Sequence, residues 1–312
     1  MDKDIEVISS VGTTFDSPSR KKPKERGSLR LCVIQDKWHE SLEKQKDSLR
    51  QLSDVAQKEK PQLILFQELT LNPYACSIPR KNNPDWLPED LTTGETFNFA
   101  KEIANLTNAF VVMSLYEKIE NNIEKGYNTA IVVSPSEKLV SKTRKTHLPV
   151  TAGYYEDTYF LNGSDNTPIV EIDGAKVGTP TCWDQWFPEL ARVYGLNKTD
   201  LICYPTAIGS EPDHPNFDTK DLWQKMMVAH GIANGMFVAA SNRIGIENEI
   251  TFYGSSFISD PYGRLLVQAS RDKRSVLVAD LDLDQKRDWL ELFPFFETRQ
   301  PFMYEEIVKK DY

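Results

Sequence analysis

Apolar positions along the first third of the 312-residue chain alternate between two periods. Leu29 to Gln35 is nearly continuous and reads as a buried strand. Leu42, Leu49, Leu52, Val55 and Ala56 recur at helical spacing with charges between them, which predicts an amphipathic helix ahead of Pro61. Leu63-Ile64-Leu65-Phe66 is a short apolar run of the kind found in buried parallel strands. Phe99, Ile103 and Leu106 mark a second helix, with Thr92 and Glu95 spaced as a capping box at its start. Phe110 to Leu115 returns as a strand.

Hairpin signals take over further on. Thr129–Val133 and Leu139–Thr143 bracket the turn-like Ser134-Pro135-Ser136-Glu137-Lys138. Ile169–Ile172 and Ala175–Gly178 flank Asp173-Gly174 in the same way. Leu201–Tyr204, Phe237–Ala240, Ser255–Ile258 and Val276–Leu281 read as strands, with a helix over Leu222–Ala233. Helix–strand alternation followed by hairpins implies a layered α/β or α+β domain. Its expected limits are 29–284. Residues 1–28 are polar, carry Arg20-Lys21-Lys22-Pro23-Lys24, and are expected to be a disordered tail. Residues 285–312 hold Trp289, Leu290, Phe293, Phe295 and Phe296, an apolar arm expected to pack on a partner subunit. Packing on its own domain is the alternative.

Composition narrows the class. With 40% hydrophobic residues, one large core is sufficient. The net charge of −9, without a basic stripe, argues against nucleic-acid binding and suits small-molecule chemistry. No apolar stretch approaches the ~18–20 residues that span a bilayer, so no membrane association is expected. The N-terminus lacks a secretory apolar segment, and a cytoplasmic location is expected. Cys32, Cys76, Cys182 and Cys203 have neither zinc spacing nor a disulfide framework, which fits a reducing compartment. Cys32 and Cys203 read as inert core residues, and Cys76, soon after Glu68, as one that faces the active-site side.

Three segments carry chemistry. Cys182 follows an apolar run, and Pro188, suited to a first helical turn, comes six residues later. A cysteine at such a strand-to-helix elbow has backbone N–H groups close by, where a thiolate and an oxyanion are stabilised. Glu68 ends the run Leu63–Phe66, at the edge where open α/β sheets bind ligands. Lys145 lies in Lys142-Thr143-Arg144-Lys145-Thr146-His147-Leu148-Pro149, with Glu156 soon after.

In that order, Glu68, Lys145 and Cys182 resemble the nitrilase (carbon–nitrogen hydrolase) superfamily over about residues 29–305. The resemblance implies a four-layer αββα sandwich and a homodimer or larger homo-oligomer. It implies that Cys182 is the nucleophile, Glu68 the base, and Lys145 the partner of the oxyanion beside the Trp183 N–H. Glu156 would orient Lys145. No metal or organic cofactor is implied. His147 is a rival base and His230 a packed histidine, because the family uses glutamate.

Within the superfamily, Cys182–Glu189, Tyr204–Pro212, Ala240–Gly245 and Phe252–Ile258 are similar to the N-carbamoylputrescine amidases. That likeness implies cleavage of a linear N-carbamoyl amine, with Tyr74, Tyr154, Trp183, Gln185 and Glu211 around the substrate. Glu211 matches the acidic residue near the distal amine. One departure stands out: Val150 occupies a position that is acidic in those amidases, which weakens the case for a diamine. Carbamoyl-β-alanine amidase, ω-amidase, nitrilase and a catalytically silent scaffold are the rival readings.

Overall fold

The computed structural model describes residues 4–13, 15–120, 122–164 and 166–309. Strands β1 (Ile5–Ser9) and β2 (Ser28–Gln35) lead into α1 (Leu42–Lys58). Then come β3 (Leu63–Leu65), α2 (Glu95–Thr107), β4 (Phe110–Ile119), β5 (Asn122–Val133) and β6 (Leu139–Arg144). The short pair β7 (Val150–Thr151) and β8 (Tyr154–Tyr155) precedes the hairpin β9 (Ile169–Ile172) and β10 (Ala175–Gly178). Next are α3 (Pro188–Leu196), β11 (Leu201–Pro205), α4 (Lys220–Asn234) and β12 (Phe237–Ser241). The ribbon β13 (Ile244–Glu247) and β14 (Ile250–Tyr253) follows, then β15 (Phe257–Ser259), β16 (Leu265–Gln268), β17 (Arg274–Asp282) and α5 (Asp284–Leu292).

One sheet has seven strands in the order β1-β17-β2-β3-β4-β5-β6, and a second has six in the order β16-β15-β12-β11-β10-β9. The three-residue β3 pairs in parallel with both β2 and β4. It is buried on both faces, which is why its sequence is apolar without alternation. The inner faces of the two sheets share one core, in which Leu31, Leu63 and Val132 of the first meet Val177, Leu201 and Ala239 of the second. Helices α1 and α2 cover the outer face of the first sheet, through Leu49, Leu52, Phe99 and Ile103. Helices α3 and α4 cover the second, through Tyr194, Trp223 and Met227. The architecture is the expected αββα sandwich.

Three expectations need correction. The segment 1–28 is not a disordered tail where it is described. β1 pairs in parallel with β17 at the edge of the large sheet. The basic cluster beyond it is neutralised by acidic groups of the C-terminal region: Arg20 meets Asp282 and Asp288, Lys22 meets Glu291, and Lys24 meets Asp282. Second, α2 starts at an N-cap Gly94 without a side-chain cap. The carboxylate of Asp90 instead gathers the N–H groups of Thr92 and Thr93, and Glu89 takes that of Thr96. Third, the arm after residue 285 divides. α5 packs on its own domain, where Trp289 donates to the Ile232 carbonyl at 2.8 Å. The later Phe302, Met303, Ile307 and Val308 stay 57–81% exposed.

Candidate active site

The site forms where β3, β10 and β11 end. Glu68 lies three residues past β3, and its N–H donates to the Thr206 carbonyl just past β11 at 3.3 Å, joining the two sheets there. Lys145 follows β6, and its N–H bonds the Asn128 carbonyl on β5 at 2.8 Å. Cys182 opens the turn after β10 with φ of 41°. A side chain in the left-handed region costs about 1–3 kcal/mol, and such strain persists only where the surroundings enforce it. Here it presents the sulfur at the sheet edge, with Sγ 3.7 Å from the Ala207 carbonyl.

The Lys145 ammonium sits between two carboxylates. It donates to Glu68 Oε1 at 2.7 Å and to Glu156 Oε1 and Oε2 at 2.8 and 2.7 Å. All three side chains have no exposure to solvent. Burial alone would lower the lysine, but Glu156 and Glu68 outweigh it and hold it well above its usual range. Burial pushes Glu156 up to about 7, although Lys145 pulls it down. Tyr74 is likewise buried and kept protonated, and its hydroxyl donates to Glu156 Oε1 at 2.7 Å. Burial and then Glu68 raise the Cys182 thiol, with Lys145 opposing them. The resting nucleophile is therefore a thiol, and it needs a base at the moment of attack.

The structure brings Glu68, Lys145, Glu156 and Cys182 into one electrostatic unit, with Tyr74 against it. Cys76 also feels Glu156, Glu68 and Lys145, within an aromatic cluster of Tyr74, Tyr116, Tyr154 and Tyr159. Tyr154 accepts from the Gly209 N–H and donates to the Ser210 carbonyl, both at 3.0 Å, and so holds the loop that carries Glu211. Gly153 beside it has φ of +78°, and a side chain there would meet Pro212 of that loop at 2.7 Å. Glu211 is half-buried and raised by that burial. Trp183 is half-buried beside Trp186. Gln185 turns elsewhere: its amide donates to Thr206 at 2.6 Å and accepts from Trp223 at 2.8 Å, which makes it a scaffold link. Val150 is 68% exposed.

Several contributors escaped the sequence reading. Asn128 donates to Glu68 Oε1 at 2.7 Å. The fully buried Arg243 donates to the carbonyls of Glu68, Leu69 and Asn72 at 2.9–3.1 Å and pairs with Glu247 at 2.7 Å. Asp184 joins the lysine segment to the nucleophile turn. It accepts from the N–H groups of His147 and Thr181, at 2.9 and 3.1 Å. His147 is not placed as a base; its ring stacks on Phe187 with centroids 3.6 Å apart. His230 is buried against the Gln185 carbonyl. Among the described residues, no group of His, Cys, Asp and Glu side chains is arranged to hold a metal ion, and no helix is long and apolar enough to cross a membrane.

A buried Glu–Lys–Cys unit at an elbow is chemistry for attack on a carbon–nitrogen bond, and a carbon–nitrogen hydrolase family model matches residues 30–290. The chain belongs to that family. This carbon–nitrogen hydrolase is 34% identical to a citrullinase of Francisella tularensis, over 91% of the chain and 99% of the relative. It is 34% identical to an N-carbamoylputrescine amidase of Solanum lycopersicum, over 80% of the chain and 84% of the relative. A carbon–nitrogen hydrolase structure from Helicobacter pylori G27 superposes with a TM-score of 0.85 at 29% identity, covering 91% of this chain and all of that one. An amidase from Nesterenkonia sp. shares the fold at a TM-score of 0.73 and 21% identity, over 93% and 100% of the two chains.

Proposed function

We propose that this enzyme is a thiol amidohydrolase that cleaves a linear N-carbamoyl amine to the amine, ammonia and carbon dioxide. The observation that carries this reading is the Lys145 ammonium, clamped between Glu68 and Glu156 within electrostatic reach of the Cys182 thiol. Glu68 takes the Cys182 proton as sulfur attacks the carbamoyl carbon. The oxyanion meets the Lys145 ammonium and the Trp183 N–H; one donor of this kind is worth about 3–4 kcal/mol in comparable sites. Ammonia leaves with the proton from Glu68. Water, deprotonated by the same carboxylate, then releases a carbamate that loses carbon dioxide. Tyr74 and Glu156 keep the lysine charged and aimed throughout.

N-carbamoylputrescine is the leading substrate, on the likeness to the plant amidases. The full-length likeness to a citrullinase supports a second reading, in which the far end of the carbamoyl amine is an amino acid. The exposed Val150, which supplies no carboxylate, favours such a less cationic end. Ammonia release from N-carbamoylputrescine, citrulline, carbamoyl-β-alanine, simple amides and nitriles decides between them. Turnover of one carbamoyl amine, abolished by Cys182→Ala in a folded protein, is the expected result. Turnover of nitriles or ω-amides alone would overturn it. We further assign the enzyme to the cytoplasm, in keeping with four buried, unpaired cysteines, and to a homo-oligomer built through its exposed C-terminal residues.

A further inference from the structure

Glu68 has two oxygens in different situations. Oε1 accepts from Lys145 Nζ and from Asn128 Nδ2, both at 2.7 Å. Oε2 is buried and has no hydrogen-bond partner among the described residues. A buried carboxylate oxygen without a donor is costly unless the site uses it. The asymmetry is built across four neighbouring strands. Glu68 follows β3, Ser114 lies on β4, Asn128 on β5, and Lys145 follows β6.

The orientation of the Asn128 amide is set by its neighbours. The Ser114 hydroxyl accepts the Leu69 N–H at 3.1 Å and donates to Asn128 Oδ1 at 3.1 Å. A flipped amide would put its oxygen against Glu68 Oε1, two acceptors at 2.7 Å, and would leave the Ser114 proton without its acceptor. The amide therefore points its N–H group at the carboxylate. Asn128 and Ser114 are both fully buried, so water does not compete for these bonds. The Asn128 carbonyl also holds the Lys145 backbone at 2.8 Å. One residue thus places both the carboxylate and its lysine.

We propose that Asn128 is a positioning residue that selects the working oxygen of Glu68. It occupies Oε1 together with Lys145, leaves Oε2 to exchange protons with Cys182, and favours the ionised carboxylate. This rests on the reading of Glu68 as the base. A neutral donor suits the task better than a second cation would. It stabilises the carboxylate by a hydrogen bond without adding a charge that would hold it ionised too strongly to take a proton back.

The test is Asn128→Leu, with Ser114→Ala as a gentler variant that frees the amide to turn. Two pH profiles are measured: turnover of N-carbamoylputrescine, and the rate at which iodoacetamide alkylates Cys182, which needs no knowledge of the substrate. Loss of a donor to the charged form raises the carboxylate pKa. The acid limb of both profiles is expected to move up, by about one pH unit in Asn128→Leu and less in Ser114→Ala, in the same direction. kcat is expected to fall at least ~10-fold with KM within ~3-fold, since the lost interaction acts on the base and not on the substrate. Folded variants with an acid limb at the wild-type position would overturn the role of Asn128. Glu68→Gln that still alkylates with the wild-type acid limb would instead overturn the assignment of the base, and the two failures are told apart by which variant leaves the limb in place.

Discussion

Asp184 Oδ1 lies 2.8 Å from His147 Nδ1 and also accepts the His147 backbone N–H at 2.9 Å. The second oxygen of the same carboxylate takes the N–H groups of Thr146 and Thr181, at 3.3 and 3.1 Å. One buried side chain thereby fastens the segment that carries Lys145 to the turn that carries Cys182. His147 is the outer half of this clasp, stacked on Phe187. The relationship explains a histidine two residues from the lysine without giving it a proton to move.

Asp184→Ala is therefore expected to lower both stability and kcat. A buried acceptor of several N–H groups is lost, and each stranded donor costs roughly 1–3 kcal/mol. His147→Asn keeps a donor for Asp184 and is expected to retain activity within ~10-fold, with an unaltered shape of the pH profile. Loss of activity in folded His147→Asn as deep as that in Cys182→Ala would show the imidazole to be chemical.

The Glu68–Lys145 contact makes a second expectation. Glu68→Gln and Lys145→Ala should each lower kcat by several orders of magnitude, because the base and its counter-charge act as a unit. The double variant should be little slower than the slower single one. Steady-state rates of the three proteins check this. A double loss equal to the product of the single losses would mean that the two groups work independently.

What the sequence displayed was the part written in contiguous runs. The apolar strands, the two early helices and the ordered trio of Glu68, Lys145 and Cys182 are each local patterns, and the layers follow from them. The supports of the trio were hidden because each is a lone polar residue on an apolar strand or loop, meeting its partner from far along the chain. Asn128 reaches Glu68 across 60 positions, and Arg243 reaches it across 175. Only Asp184, two residues after the cysteine, carried a local hint. The basic run at 20–24 looked like a solvated tail because its acidic partners, Asp282, Asp288 and Glu291, lie at the opposite end of the chain. Gln185 looked like a substrate contact by its place next to the nucleophile turn, yet the turn rotates it into the core between Thr206 and Trp223.

Assembly gives a third prediction. α5 belongs to its own domain, with Leu290 against Gly235 as well as the Trp289 bond, so cutting at residue 285 would damage the fold itself. Removal of residues 301–309 spares those contacts and takes away the exposed Phe302, Met303, Ile307 and Val308. An apolar surface of this kind is characteristic of an interface. Light scattering at matched concentration should find the full chain associated and the shortened chain dispersed and folded. A full chain that is monomeric at micromolar concentration would contradict the oligomer.

Substrate choice turns on Glu211. It acts electrostatically on Tyr154 and Tyr253, and both tyrosines also feel Cys182, so it stands one aromatic layer from the nucleophile. The fastening of its loop by Tyr154 keeps it there. A half-buried carboxylate at that remove suits the cationic end of a carbamoyl amine and repels an anionic one. Val150 adds no second carboxylate, so the preference rests on Glu211. Glu211→Gln is expected to raise KM for N-carbamoylputrescine about 10-fold more than for an uncharged N-carbamoyl alkylamine, with kcat little changed, since a uniform binding term is lost. Citrulline, which carries both an ammonium and a carboxylate, should fall between the two. Equal losses on charged and uncharged substrates would make Glu211 part of the scaffold. A wild-type preference for carbamoyl-β-alanine would remove the amine-reading role altogether, because a buried acidic group cannot favour an anionic tail without a cation beside it.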